Sequence, residues 1–340
     1  MSRTHSLSPL TLPASPRLPR FATPPRGLRG LLRLLLCFVA IAGAPHVGAD
    51  ERFDYRLEPV RVADGFYVLI GLTEDFSVSN GGNIVNTGFI VGEDGVIVVD
   101  TGPSLRYGQQ MLAAIRRITE LPVVLTLNTH HHPDHFLGNQ AFPPETLAAL
   151  PETIRGIETE GEGFNENMYR LNRDWMRGTE VVAPSVALTE GRRRVAGRDL
   201  EFLALAGHTA ADLVVIDHAT GTVFASDLLF HDRAPTTPHA DIDVWLASLA
   251  RLESIPATRW IPGHGPVSED LAPLHQTRDY LQWLATTIHQ GASSGMDMAE
   301  MLDTPIPERF HALAEVDTEF RRSVIHLFPA AEQAVLEARD

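Results

Sequence analysis

At 340 residues, 44% apolar and 7% aromatic, the chain has the composition of a globular enzyme of one large or two modest domains, which excludes chain-wide disorder. Every basic residue is arginine, so a Schiff-base lysine and the phosphate-cradling lysine of a P-loop are both excluded. The formal net charge of −15 argues against nucleic acid or an anionic membrane surface as a partner.

Residues 1–49 hold six arginines, Arg3 to Arg33, and no acidic residue, followed by an apolar stretch from Leu34 to Ala44 and the small-residue exit Val47-Gly48-Ala49. A basic start, an apolar core and such an exit predict a secretory signal peptide cleaved before Asp50, hence a periplasmic or secreted protein whose mature domain is 50–340. The apolar run is too short to span a bilayer, so no stable membrane insertion is expected once the leader is gone. Its removal takes six positive charges from −15 and leaves −21. Cys37, the only cysteine, leaves with it, so neither a disulfide nor a thiolate is available to the mature chain.

Beyond the leader, Phe66–Ile70, Gly88–Val91 and Val96–Val99 read as strands joined by turns. Tyr107–Glu120 has helix spacing and leads into the apolar strand Val123–Leu127. The acidic segment from Pro143 to Gly178, with Glu158, Glu160, Glu162 and Glu166, reads as a helical insertion, either a lid or a solvated excursion. Strands follow at Glu180–Leu188, Asp199–Leu205, Leu213–Ile216 and Val223–Ala225, the last two divided by a turn at 218–221. Helices at Asp243–Glu253, Leu271–Gln290 and Asp317–Ala338 complete the chain. Two strand-then-helix halves predict a sheet-on-sheet core flanked by helices.

The chemistry is concentrated where the Val123–Leu127 strand ends. His130, His131, His132, Asp134 and His135 fall within six residues, a set too costly to bury without partners, and the HxHxDH pattern points to a metal. His131, between the alternating positions, reads as a bystander. Imidazole and carboxylate ligands suit Zn²⁺, Mn²⁺ or Fe and leave a position open for water. Three further ligand-type residues stand alone at strand ends beside glycine or serine: His208 after Gly207, Asp227 after Ser226, and His264 between Gly263 and Gly265.

HxHxDH, a later Gly-His, an Asp after the next strand and Pro-Gly-His-Gly together resemble the metallo-β-lactamase superfamily over roughly Phe53–Val267. The resemblance implies an αββα sandwich and two Zn²⁺ ions, with Fe or Mn as substitutes. It further implies that His130, His132 and His208 hold one ion, that Asp134, His135 and His264 hold the other, and that Asp227 bridges them. Asp100, at the acidic strand end Asp100-Thr101-Gly102, would support a ligand imidazole. An Asp at the bridging position is similar to glyoxalase II and lactonases rather than to the β-lactamases, which use Cys or Ser there.

The leader, the Thr129–His135 motif and the run Leu228–Arg233 together look most like the quinoprotein relay system zinc metallohydrolases, proteins associated by name with quinoprotein dehydrogenase systems. The expected activity is hydrolysis of an ester, thioester, lactone or similar acyl bond in a small-molecule substrate. Two ions would lower the pKa of a bridging water toward ~7, and Asp134 would orient it as catalytic residue and ligand at once. The rivals are a phosphoesterase or sulfatase using the same ions, which a positively charged pocket would favour, and a non-catalytic metal-binding accessory protein. His231 and Arg233 stand close enough to Asp227 to be candidate substrate contacts, Ser79–Asn83 is a candidate hairpin flap over the site or a simple turn, and His289, His311 and His326 read as surface or packing residues on helices.

Overall fold

The computed structural model describes Glu51–Ala338, so the leader at residues 1–49 and its cleavage point lie outside the described residues. Two sheets face each other. The first has seven strands in chain order: β1 (Val60–Ala63), β2 (Phe66–Leu69), β3 (Thr87–Val91), β4 (Val96–Val99), β5 (Val123–Asn128), β6 (Leu147–Ala149) and β7 (Val186–Ala187). Hairpin pairing runs from β1 to β4, and parallel pairing from β4 to β7. The second sheet, in the order β12-β11-β10-β9-β8, comprises β8 (Gly191–Val195), β9 (Arg198–Leu205), β10 (Asp212–Asp217), β11 (Thr222–Phe230) and β12 (Arg259–His264), antiparallel except for β11 with β12.

Strand periodicity assigns the layers. In β4, Ile97 and Val99 enter the core between the sheets, where they share a cluster with Leu213, Val215 and Phe224. Val96 and Val98 point the other way, onto Met111 and Ile115 of helix α1 (Leu105–Ile118). Likewise Val214 and Ile216 of β10 face outward onto Trp245 and Leu249 of α4 (Ile242–Glu253) and Leu281 of α5 (Ala272–Ser294). A strand apolar on both sides is therefore covered on both sides, and the order of layers is helix, sheet, sheet, helix, the expected αββα sandwich. Ser104 caps α1 by accepting from Tyr107 N, and Asp241 caps α4 by accepting from Val244 N.

The remaining helices are α2 (Pro133–Phe136), α3 (Pro151–Asn172), the short α6 (Met298–Leu302) and α7 (Val316–Glu337), which packs on α5 through Tyr280, Leu284, Phe320 and Val324. No helix among the described residues is long and apolar enough to cross a membrane.

Several expectations need correction. Of Glu180–Leu188 only Val186–Ala187 pairs, because Pro184 has no amide to give a ladder. The segment 143–178 is more than an insertion: its Leu147–Ala149 is a buried sheet strand and α3 packs on the histidine motif. Strand β8 was hidden by Arg192, Arg193 and Arg194, whose charges fit an exposed edge. Ser79–Asn83 forms turns rather than a hairpin and is held by Asn80, whose side chain bonds Glu74, Asp75 and the backbone of Ser77 and Gly82.

Candidate metal centre

The C-terminal ends of β4, β5, β9, β11 and β12 converge at one edge of the sandwich, and all seven predicted ligands meet there, each at least 94% buried. His130, His132 and His208 turn one ring nitrogen each to a common point. His132 Nδ1 lies 3.1 Å from His130 Nε2 and 2.9 Å from His208 Nε2. Asp227 Oδ2 closes the group, 3.3 Å from His208 Nε2 and 3.9 Å from His130 Nε2. Opposite it, Asp134 Oδ2 lies 3.7 Å from His135 Nε2 and 3.5 Å from His264 Nε2. Asp227 reaches this second group too, with Oδ1 3.2 Å from His135 Nε2 and Oδ2 3.2 Å from His264 Nε2.

Local backbone explains how a strand residue comes to stand between the two groups. Asp227 lies inside β11, not after it, at a point where the β11–β12 register slips on either side of Ser226 and Ser226 adopts a φ of 49°. Such a bulge re-aims the next side chain. On the neighbouring strand a Cβ at Gly263 would overlap the Asp227 carboxylate, so glycine there makes the room. Asp100 is likewise left-handed at φ 60°, and that backbone is held by its own carboxylate, which accepts from Thr129 N and Thr129 Oγ1, each at 2.8 Å.

The outer ring nitrogens of His135, His264 and His130 have partners as well. Asp100 Oδ2 lies 2.8 Å from His135 Nδ1, and His264 Nδ1 donates to Ile84 O at 2.8 Å, which directs both Nε2 atoms inward, toward the centre. Thr129 Oγ1 sits 3.1 Å from His130 Nδ1. His208 is placed by its backbone: Asp212 accepts from His208 N and Thr209 N, while Trp245 stands edge-on to the ring at 5.0 Å. Burial raises the Asp212 carboxyl to about 6.

The donor set fits a pair of divalent cations. His135 Nε2 and Asp227 Oδ1 are buried without a hydrogen-bond partner, which a cation would supply. The separations of 2.9–3.9 Å bracket the roughly 3.3 Å between donors that each bind a tetrahedral zinc at about 2.0–2.1 Å. Burial holds His130 and His132 well below the ordinary imidazole range, so they are neutral and able to coordinate. Burial also opposes charge on His135, but Asp227, Asp134 and Asp100 outweigh it and raise that pKa, the mark of a locus that favours positive charge.

Beside the centre opens a cavity of about 270 Å³, reached by His132, Asp134, Asp227 and His264. Its apolar wall includes Phe76, Phe164 and Leu171. Two arginines also line it, but each is committed. Arg233, 2% exposed, pairs with Glu319 of α7 at 3.0 Å, and Arg322 pairs with Asp75 at 2.5 Å and with Glu319 at 3.1 Å.

His231 does not face the cavity, because its Nδ1 is bound to Pro266 O at 2.8 Å. His326, read as a surface or packing residue, is exposed at the cavity mouth. Sequence reasoning missed His239, at that mouth, and Asn86, whose buried amide donates to Pro262 O and Gly265 O and so fixes the strand end bearing His264. A polar Asn between Val85 and the buried Thr87 was the available signal for Asn86.

A sequence profile described as Metallo-beta-lactamase superfamily matches residues 80–264, more than half of the chain and spanning all seven residues. The chain belongs to the metallo-β-lactamase superfamily. Among curated relatives it is similar to a linear primary-alkylsulfatase of Pseudomonas sp. (24% identity over 62% of this chain and 48% of the relative). It is also similar to a beta-lactamase-like protein 2 homolog of Caenorhabditis elegans (27% identity over 50% of this chain and 52% of the relative). The chain thus spans about half the length of the curated relatives it matches.

Solved structures that share its fold include the metallo-beta-lactamases of Pontibacter korlensis (22% identity, TM-score 0.52, 66% of this chain and 99% of that one) and Hirschia baltica (18%, 0.53, 66% and 97%).

Proposed function

We propose that this chain is a dinuclear zinc hydrolase acting on an ester, thioester, lactone or related acyl bond of a small, electrically neutral substrate. The observation that carries the reading is the Asp227 carboxylate, within 3.2–3.3 Å of ring nitrogens in both histidine groups, where one side chain would serve two ions. His130, His132 and His208 would hold the first ion, Asp134, His135 and His264 the second, with Asp227 shared. When bound, such a pair supplies Lewis acidity, which brings the pKa of water toward ~7 and stabilises negative charge developing on a carbonyl oxygen. Asp134 lies at the second group and also lines the cavity, so its carboxylate can accept a hydrogen bond from the attacking water and orient it toward the substrate.

The paired arginines support the acyl reading over a phosphate or sulfate ester. A guanidinium clamp on an anionic ester would need an uncommitted arginine, yet Arg233 and Arg322 are already matched by Glu319 and Asp75. Similarity to the alkylsulfatase keeps a sulfate ester with an apolar tail as the second reading, because Phe76, Phe164 and Leu171 would receive such a tail equally well. Export by a leader ending at Ala49, and a place beside a quinoprotein dehydrogenase system, complete the proposal on sequence grounds. They are supported by the basic-apolar start and the resemblance to the relay-system group.

A panel of thioesters, lactones, carboxylic esters, β-lactams, phosphodiesters and alkyl sulfates, offered to zinc-loaded protein, tests the reading. Turnover confined to the sulfates or phosphates would refute the acyl assignment, and intact mass of the exported form tests cleavage before Asp50.

A further inference from the structure

One chain of side chains continues the centre outward beyond the seven residues. His132 turns Nδ1 toward His130 and His208, so its Nε2 points away from them, and His239 Nδ1 lies 2.8 Å from that Nε2. On the other side of the His239 ring, Nε2 lies 3.2 Å from Glu160 Oε2. A neutral imidazole that offers Nδ1 to a cation carries its proton on Nε2. His132 Nε2–H therefore donates to His239 Nδ1, and His239 Nε2–H donates to Glu160. Each hydrogen bond fixes the tautomer of the next ring, and the series ends on a carboxylate.

We propose that His239 and Glu160 are positioning residues that hold the His132 imidazole in the orientation and tautomer the first ion requires. The proposal deepens the dinuclear reading and rests on His132 being a ligand. Although His239 lines the cavity, both of its ring nitrogens are engaged, which leaves neither a lone pair nor an N–H for substrate. The same engagement argues against a third ion among His131, His132 and His239, whose nitrogens do lie close together. A cation there would have to replace the 2.8 Å hydrogen bond and strip His132 of its remaining ring proton.

Helix α3 is built for this contact. Gly156, Glu160 and Phe164 recur at four-residue spacing and so share one face. A Cβ at Gly156 would lie 2.6 Å from His131 Cγ, so glycine lets the helix approach the motif. Phe164 stands edge-on to both His132 and His239, at 6.2 and 6.1 Å, and restricts the tilt of both rings. The loop bearing His239 is anchored to α7 by the Thr237 Oγ1 to Ser323 Oγ hydrogen bond of 2.8 Å.

The test compares wild type, His239→Ala, His239→Asn and Glu160→Ala as full zinc-loaded proteins. Three quantities are read: zinc per chain at saturation, the rate of zinc transfer to a chromogenic chelator, and the melting temperature after metal is stripped. All four should load the same number of ions and melt alike when stripped. His239→Ala should weaken retention of one ion about 10–100-fold, the usual consequence of losing a partner to a ligand imidazole, and Glu160→Ala by less. His239→Asn should recover much of the loss, because its Oδ1 stands near the missing Nδ1 and accepts from His132 Nε2–H.

Retention in His239→Ala equal to wild type would overturn the proposal, as would an Asn variant no better than Ala. Loss of a whole equivalent at saturating zinc would make His239 a ligand instead. A wild type that binds no zinc would remove the reading of His132 on which the proposal rests, and the proposal with it.

Discussion

Replacing Glu319 by alanine separates a structural arginine from a substrate-binding one. Arg233 is 2% exposed and its Nη2 has Glu319 Oε1 at 3.0 Å as its acidic partner, with a weak 3.3 Å bond from Nη1 to Ala234 O besides. Removing the carboxylate strands that guanidinium in the interior and also deprives Arg322 of one of its two acidic partners. Breaking a buried pair from one side costs about 3–5 kcal/mol. At about 2 °C per kcal/mol for a unit of this size, the melting temperature should fall by roughly 6–10 °C.

The double variant Arg233→Met/Glu319→Leu removes both charges at once and should recover most of that loss. Thermal melts followed by circular dichroism, alongside KM for the best substrate, provide the assay. If Glu319→Ala melts with wild type while KM rises sharply, Arg233 is a substrate contact, and the neutral-substrate argument fails with it.

Gly263→Ala should weaken metal binding, since the added methyl would overlap the Asp227 carboxylate and also press on the Asp227 backbone N, 2.8 Å away; unchanged metal content would mean that Asp227 need not stand there. Asp100→Asn should lower zinc affinity about 10–100-fold by loosening His135, read by chelator competition, and unaltered affinity would leave Asp100 as a turn residue only. Burial lowers the His131 pKa to about 4, and moves His130 and His132 in the same direction, from an ordinary 6.5. The unfolded chain therefore takes up protons first on acidification. The stability these three rings contribute to the metal-stripped protein is fully present above about 6.5 and is lost progressively toward pH 4, while His135, its pKa raised by its acidic neighbours, acts in the opposite direction. His131→Asn should flatten that loss, and parallel curves for the two proteins would contradict it.

The clustering of the seven candidate ligands was legible because a metal centre needs unusual residues at strand ends, and four of the seven lie within one short motif, from His130 to His135. The αββα layering was legible too, since Val96–Val99 and Leu213–Ile216 are apolar on both faces and must be covered on both. What sequence could not supply was pairing at a distance. Arg233 looked free beside Asp227 because Glu319 lies far along the chain on another helix, and His239 meets Glu160 only once α3 has packed on the motif. Strand β6 was hidden because three residues, Leu147–Ala149, give no period to read inside an acidic segment. Sequence puts Asp227 just after its strand and not inside it, because the bulge that lets the strand continue is a property of two strands together.

The central claim is that one carboxylate joins two ions, and metal content measured beside turnover for wild type and Asp227→Ala tests it most directly. The dinuclear proposal expects two zinc ions per wild-type chain, and a variant that stays folded but loses the second ion first, together with most of its kcat/KM. A wild type saturating at one ion with full activity, or an Asp227→Ala protein that keeps both ions and near-normal turnover, would contradict it.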